Sequence, residues 1–336
     1  MTERVAVVGA GSWGTALANL LAKKGHDVRI WAFERAVVTG INERHENPLY
    51  LAGVALSPRL TATGTVADAV TDATTVVSVS PAQHVRRVMS EASPALRDGV
   101  RVVSASKGIE KGTLQTMAQV LGEVLPAEIA KTSVYLSGPS FAAEVARELV
   151  TAVTVASADH DAARQAQSLF QTSYFRVYTS DDVMGVEIGG ALKNVMAIAA
   201  GMAVGLGLGH NATAALITRG LAEIARLGHA LGARPRTLSG LAGLGDLILT
   251  CTGDLSRNRH VGVELGRGRQ LADILAGMAT VAEGIDTTVA AQALARREAI
   301  AMPIVDAVHT VLFEGRKAHE ILEALMLREP KPEFWS

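Results

Sequence analysis

The sequence predicts an α/β fold: a doubly wound sheet domain over residues 1–180, followed by an all-helical domain over residues 181–336. Three observations carry this expectation. Short valine-rich runs alternate with helical segments through the first half, as in a sheet with right-handed crossovers and helices on both faces. A glycine triplet stands between the first such run and the first helix. From Asp181 onward the strand signals stop, and helical period rich in Ala, Gly and Leu takes over.

Arg4-Val5-Ala6-Val7-Val8 is the first apolar run, a buried strand. Gly9-Ala10-Gly11-Ser12-Trp13-Gly14 follows at once. A helical stretch then places Leu17, Leu20 and Leu21 on one face and ends on Lys23, Lys24 and Gly25, all stop signals. Residues 26–31 form the next strand. G-x-G-x-x-G between a strand and a helix inside a βαβ unit points to a Rossmann-type dinucleotide site. Gly9, Gly11 and Gly14 let the backbone turn tightly and approach a pyrophosphate at the helix N-terminus. The alternative is a tight turn in some other α/β fold.

An NAD site commonly carries an acid at the end of the second strand, for the ribose diol. Here the strand runs into Ala32-Phe33-Glu34-Arg35, with nothing acidic directly at its end. Glu34 comes late, and Arg35 could pair with a 2′-phosphate, which favours NADPH or use of both cofactors. Arg35 reads equally well as a solvated residue in the first turn of the next helix.

Further strands are expected at residues 76–79, 100–104, 134–136, 152–155 and 175–178, with a long surface loop at residues 47–53. Two strand ends carry candidate ligand contacts. Lys107, in Ser106-Lys107-Gly108, stands just outside the carboxyl end of a strand, the edge where open α/β sheets bind ligands. In Ser137-Gly138-Pro139-Ser140-Phe141-Ala142, Gly138 and the Ser140 hydroxyl can offer donors to a polar ligand, and Ala142 starts the next turn. Ser140 could instead be an ordinary helix N-cap.

The helical half opens on a stretch in which Lys193 is the only formal charge between Glu187 and Arg219. Gly189 and Gly190 lie one turn back, with Ala197, Ala200 and Gly201 ahead on the same side. That stripe is bare enough for another backbone or a ligand to approach. A lone ammonium there is desolvated, its pKa falls, and it becomes able to exchange a proton near neutral pH. The competing reading is a core helix whose lysine snorkels to water. Asp246 is the only charge in residues 238–252 and needs a cation, with Lys193 the obvious partner; the alternative is a surface turn aspartate after Gly245. Ser256 reads as the N-cap of another helix. Arg257 and Asn258 fall in its first turn, where free amides favour an anion such as phosphate; the alternative is a solvated basic turn. Cys251 reads as a packed small residue, with no base placed beside it.

Composition excludes several functions. With 32 basic against 33 acidic residues and no basic run, nothing points to nucleic acid or an anionic membrane. The start passes directly into a strand pattern, so no signal peptide is expected. The longest uncharged apolar run, residues 195–209, is too short and Gly-rich to span a bilayer. The single cysteine excludes an internal disulfide, and no His/Cys cluster has metal-ligand spacing, so no metal is expected.

Taken in order, the glycine-rich turn with Thr15-Ala16-Leu17-Ala18, Ser106-Lys107-Gly108, Ser137-Gly138-Pro139-Ser140-Phe141-Ala142, Gly189-Gly190-Ala191-Leu192-Lys193-Asn194-Val195, Gly243-Leu244-Gly245-Asp246-Leu247 and Ser256-Arg257-Asn258-Arg259 cover nearly the whole chain. Together they resemble the bacterial NAD(P)-dependent glycerol-3-phosphate dehydrogenases. The resemblance implies a cytoplasmic homodimer that reduces dihydroxyacetone phosphate to sn-glycerol 3-phosphate for phospholipid synthesis. It implies Lys193 as proton donor and acceptor, its ammonium oriented by Asp246 and Asn194. It implies that Lys107, Gly138, Ser140, Asp246, Ser256, Arg257 and Asn258 hold the substrate. By the same carry-over, Ser12, Trp13, Phe33, Lys107, Ala142, Arg257, Val281 and Glu283 touch NADP or NAD. Two positions depart from the pattern: Phe33 stands where His or Arg is common, and Ala52 replaces a Pro. The rival readings are a two-domain 3-hydroxyacid dehydrogenase and a non-catalytic NADP-binding sensor.

Overall fold

The computed structural model describes residues 2–278, 280–330 and 332–333. Strands β1 (Arg4–Val8), β2 (Asp27–Trp31), β3 (Leu60–Thr63), β4 (Thr75–Ser78), β5 (Arg101–Ser104), β6 (Val134–Ser137), β7 (Thr151–Ala156) and β8 (Phe175–Ser180) form one sheet, ordered β3-β2-β1-β4-β5-β6-β7-β8. Val5 to Val8 are 2% exposed or less, because helices cover both faces. The strand order reverses between β1 and β4, which opens a crevice beyond their carboxyl ends. The glycine-rich turn leaves β1 at that point.

Three details differ from the expectation. β3 was not foreseen: it is a four-residue edge strand with only Leu60 buried, so it lacks an apolar run. β7 pairs antiparallel to β6, and β8 runs parallel to β7. Residue patterns mark strands but not their direction. Finally, the segment at residues 47–53 is not a free surface loop. Asn47 is fully buried, and its Nδ2 donates to Ala10 O (2.9 Å) and Thr15 Oγ1 (2.8 Å), while its Oδ1 accepts from the Leu49 and Tyr50 amides. The segment is folded onto the glycine-rich turn.

The chain leaves β8 at Ser180 and enters a 23-residue helix, Val183–Gly205. Asp182 caps it, accepting from the Gly185 amide at 2.9 Å. Every residue from 185 to 203 is buried. This helix is long and apolar enough to cross a membrane, but 89% of its apolar window is enclosed by the rest of the chain, so it is a core helix. Helices Gly209–Ala230, Asp246–Thr252, Arg257–Gly266, Glu283–Arg297 and Pro303–Phe313 pack around it.

The small-residue stripe is where other backbones approach. A Cβ on Gly189 would stand 2.6 Å from Ala242 O, and one on Gly201 would stand 2.1 Å from Arg259 O. A Cβ on Gly262 would stand 2.0 Å from Ile198 O. Gly190 instead faces the sheet, where a Cβ would lie 2.6 Å from Ser137 Oγ at the end of β6. Close contact at these glycines sets Lys193 over the sheet's carboxyl edge.

Candidate active site

The two lone charges of the helical half meet. Lys193 Nζ donates to Asp246 Oδ1 at 2.6 Å and to Thr250 Oγ1 at 2.9 Å. Asp246 is 1% exposed and begins helix Asp246–Thr252, just after a π-helical turn, Leu241–Gly245. Such turns recur at functional sites. Thr250, one turn on, donates to the Asp246 backbone carbonyl at 2.6 Å.

Lys107 occupies the other carboxylate oxygen, donating to Asp246 Oδ2 at 2.6 Å and to Gly138 O at 3.2 Å. It reaches there from the loop after β5, which is held by Ser106 Oγ donating to Ser80 O at 2.6 Å. Sequence reasoning paired Asp246 with one lysine; the structure gives it two. Two cations on one buried carboxylate leave a net positive charge, the sign that suits an anion.

Burial brings the Lys193 ammonium down to about 8, with Asp246 pulling it back up and Lys107 pushing it further down. Burial alone would raise the Asp246 carboxyl, but Lys107 and Lys193 outweigh it and hold it below the usual carboxylate range. Burial pushes the Cys251 thiol up to about 12, so it supplies no thiolate at neutral pH.

Asn194 does not reach the ammonium. One residue further round the helix, it points about 100° away from Lys193. Its Oδ1 accepts from Asn258 Nδ2 at 2.9 Å, and Asn258 Oδ1 accepts from the Gly284 amide at 2.9 Å. The two asparagines join three helices, and Thr250 takes the orienting position expected for Asn194. Its spacing of four residues from Asp246 on one helix was the available signal.

Ser256 caps helix Arg257–Gly266, its hydroxyl accepting from the Arg259 amide at 3.2 Å. Arg257 is exposed in the first turn, and Asn258 beside it is buried. Gly138 has φ +137°, and a Cβ there would lie 2.9 Å from Val153 Cα, so the position requires glycine. Ser140 does not cap a helix: its hydroxyl donates to Gly138 O at 2.9 Å, and the next helix, Ala142–Ala146, follows Phe141 with no side-chain cap.

The turn after β1 divides its glycines by task. Gly9 has φ +122°, and a Cβ there would press on Val79 at 2.9 Å. A Cβ on Gly14 would stand 1.9 Å from Gly9 O, so Gly14 keeps the helix close to the turn rather than leaving room for a ligand. Gly11 alone has nothing within 4 Å and precedes helix Ser12–Lys23, which has no side-chain cap. That open, uncapped N-terminus fits a dinucleotide pyrophosphate, and in its first turn the buried Trp13 Nε1 has no hydrogen-bond partner among the described residues. The Ser12 hydroxyl is committed to Tyr50 O at 2.7 Å. Of the other residues expected to touch the cofactor, Phe33 is 78% exposed and Val281 is half-exposed. Glu283 accepts from the Ala82 amide at 3.4 Å, and desolvation pushes it up to about 7.

A family model described as NAD-dependent glycerol-3-phosphate dehydrogenase N-terminus matches residues 4–163, and its C-terminus counterpart matches residues 182–323. The chain belongs to the NAD-dependent glycerol-3-phosphate dehydrogenase family. It is 55% identical over 335 residues to the NAD(P)+ glycerol-3-phosphate dehydrogenase of Geobacter sulfurreducens, covering 100% of both chains. The crystal structure of the Coxiella burnetii glycerol-3-phosphate dehydrogenase superposes with a TM-score of 0.93 at 37% identity, covering 97% of this chain and 99% of that one. The yeast glycerol-3-phosphate dehydrogenase structure does so with a TM-score of 0.80 at 30% identity, covering 96% and 99%. The chain is thus an NAD(P)-dependent oxidoreductase whose sheet half and helical half both carry the glycerol-3-phosphate dehydrogenase pattern. Among the described residues, no group of three or more His, Cys, Asp or Glu could hold a metal ion.

Proposed function

We propose that this chain reduces dihydroxyacetone phosphate to sn-glycerol 3-phosphate, with Lys193 as the proton donor. The observation that carries this reading is the buried ammonium of Lys193, 2.6 Å from Asp246, on a helix docked at the carboxyl edge of the sheet. A nicotinamide dinucleotide held at the glycine-rich turn would supply the hydride for the ketone carbon. Charge then develops on the ketone oxygen, and Lys193 stabilises it and passes it a proton. Asp246 and Thr250 hold the ammonium in place, and solvent restores the proton after turnover. A donor near pH 8 is matched to this task at neutral pH.

Lys107 and Arg257 offer the positive charge that a phosphate needs, and the Arg257 guanidinium suits it with a bidentate fork. Ser256, Asn258, Gly138 and Ser140 complete the substrate contacts in this reading. Gly11, Ser12 and Trp13 take the pyrophosphate, on a turn whose shape Gly9 and Gly14 permit. Phe33, Ala142, Val281 and Glu283 line the rest of the dinucleotide. Residues 1–180 form the cofactor domain and residues 181–336 the substrate domain. The enzyme works as a homodimer in the cytoplasm and feeds phospholipid synthesis. A spectrophotometric assay of dihydroxyacetone phosphate with NADH and with NADPH tests the reading. Turnover of a 3-hydroxy acid and none of dihydroxyacetone phosphate would reject it.

A further inference from the structure

The segment at residues 47–53 laces the glycine-rich turn to the end of β2. The Tyr50 hydroxyl donates to Glu34 Oε1 at 2.7 Å. Tyr50 belongs to the segment folded onto the glycine-rich turn. Ser12 Oγ holds the Tyr50 carbonyl at 2.7 Å, and Asn47 ties the same segment to Ala10 and Thr15. One short stretch of chain therefore connects the pyrophosphate end of the site to Glu34, three residues beyond the end of β2.

That is the region where an acid receives the adenosine ribose diol. Glu34 is half-buried, whereas Arg35 beside it is exposed. The hydrogen bond to Glu34 pushes the Tyr50 phenol up to about 12, so it stays a donor across the physiological range. With Oε1 taken by Tyr50, Oε2 is left to accept from a ribose hydroxyl. The same fixed negative charge repels a 2′-phosphate.

We propose that Glu34, aimed by Tyr50, makes this chain select NAD(H) over NADP(H). The inference rests on the glycine-rich turn being the dinucleotide site, and it reverses the lean toward NADPH that Arg35 suggested. Tyr50 is a positioning residue: it fixes the carboxylate without itself reading the ribose.

The test is tryptophan fluorescence titration with NAD+ and with NADP+, in the absence of substrate, on wild type, Glu34→Gln and Tyr50→Phe. Wild type binds NAD+ more tightly. Glu34→Gln keeps the acceptor for Tyr50 but loses the charge, and the NAD+/NADP+ affinity ratio falls by about tenfold or more, the scale of a charge-assisted hydrogen bond. Tyr50→Phe lowers the ratio in the same direction, mainly by weakening NAD+. Binding of either dinucleotide by wild type tests the site itself; only the ratio tests Glu34. A wild type that prefers NADP+, or a Glu34→Gln ratio within about twofold of wild type in a variant with an unchanged melt, overturns the proposal.

Discussion

Lys193 and Asp246 stand 53 residues apart in sequence and 2.6 Å apart in space, and the lysine is not the only cation on that carboxylate. Lys107 holds the second oxygen at the same distance. Removing Lys193 therefore leaves Asp246 paired, which separates the chemistry of this lysine from the stability of the site.

Lys193→Met is expected to keep the fold and cofactor affinity while kcat falls by about 10²–10⁴, the range for a positioned acid. Lys193→Arg is not expected to rescue, since guanidinium does not give up its proton at neutral pH. Rate assays with thermal melts and cofactor titration check this. If Lys193→Met keeps more than about a tenth of wild-type kcat, the acid is elsewhere, with Lys107 the next residue to test.

The pH profile should mirror itself between the two directions. Ketone reduction needs Lys193 protonated. With its pKa near 8, kcat/KM at saturating NADH is flat below that value and falls as pH rises through it. Alcohol oxidation needs the neutral amine, so kcat/KM rises through the same region. Stopped assays in both directions across the alkaline range read this directly. Two limbs that bend the same way would remove Lys193 from the proton transfer.

Gly11 and Gly14 should fail differently. Gly11→Val puts a side chain into open space, so the variant folds and loses the dinucleotide. Gly14→Val meets the Gly9 carbonyl, so the turn and helix must separate and stability falls. Melting curves beside NADH titrations distinguish the two. Full cofactor affinity in a folded Gly11→Val variant would move the pyrophosphate away from this turn.

Gly262→Ala should destabilise by about 1–3 kcal/mol through overpacking, because the backbone of the Lys193 helix lies where its methyl would go. Gly122, in helix Met117–Val124, has nothing within 4 Å, and its change to Ala should stabilise by up to about 1 kcal/mol. Urea denaturation of both variants gives the signs, and equal effects would mean that the helix contact is not tight.

Much of this was legible in the residues. A charge alone in a long apolar stretch must find a partner, and with Lys193 and Asp246 each alone, the pairing followed. The glycine-rich turn was readable because strand, turn and helix follow each other without a break. What escaped depended on long-range geometry. Lys107 on Asp246 joins residues 139 apart, and no local pattern encodes that. Asn194 stands next to Lys193 in sequence, yet the helical rotation sends it to Asn258. The 47–53 segment reads as a loop from its Asn, Pro and Gly, and the buried Asn47 reveals that it is clamped down.

The helix carrying Lys193 is enclosed along residues 185–203. Its amide hydrogens should thus exchange with solvent only when the helical half unfolds as a whole, and Lys193 sits within that protected stretch. Moving parts of enzymes are drawn from segments that open at low free energy. The Lys193 helix is therefore expected to stay rigid, with opening motions falling on less buried segments of the chain.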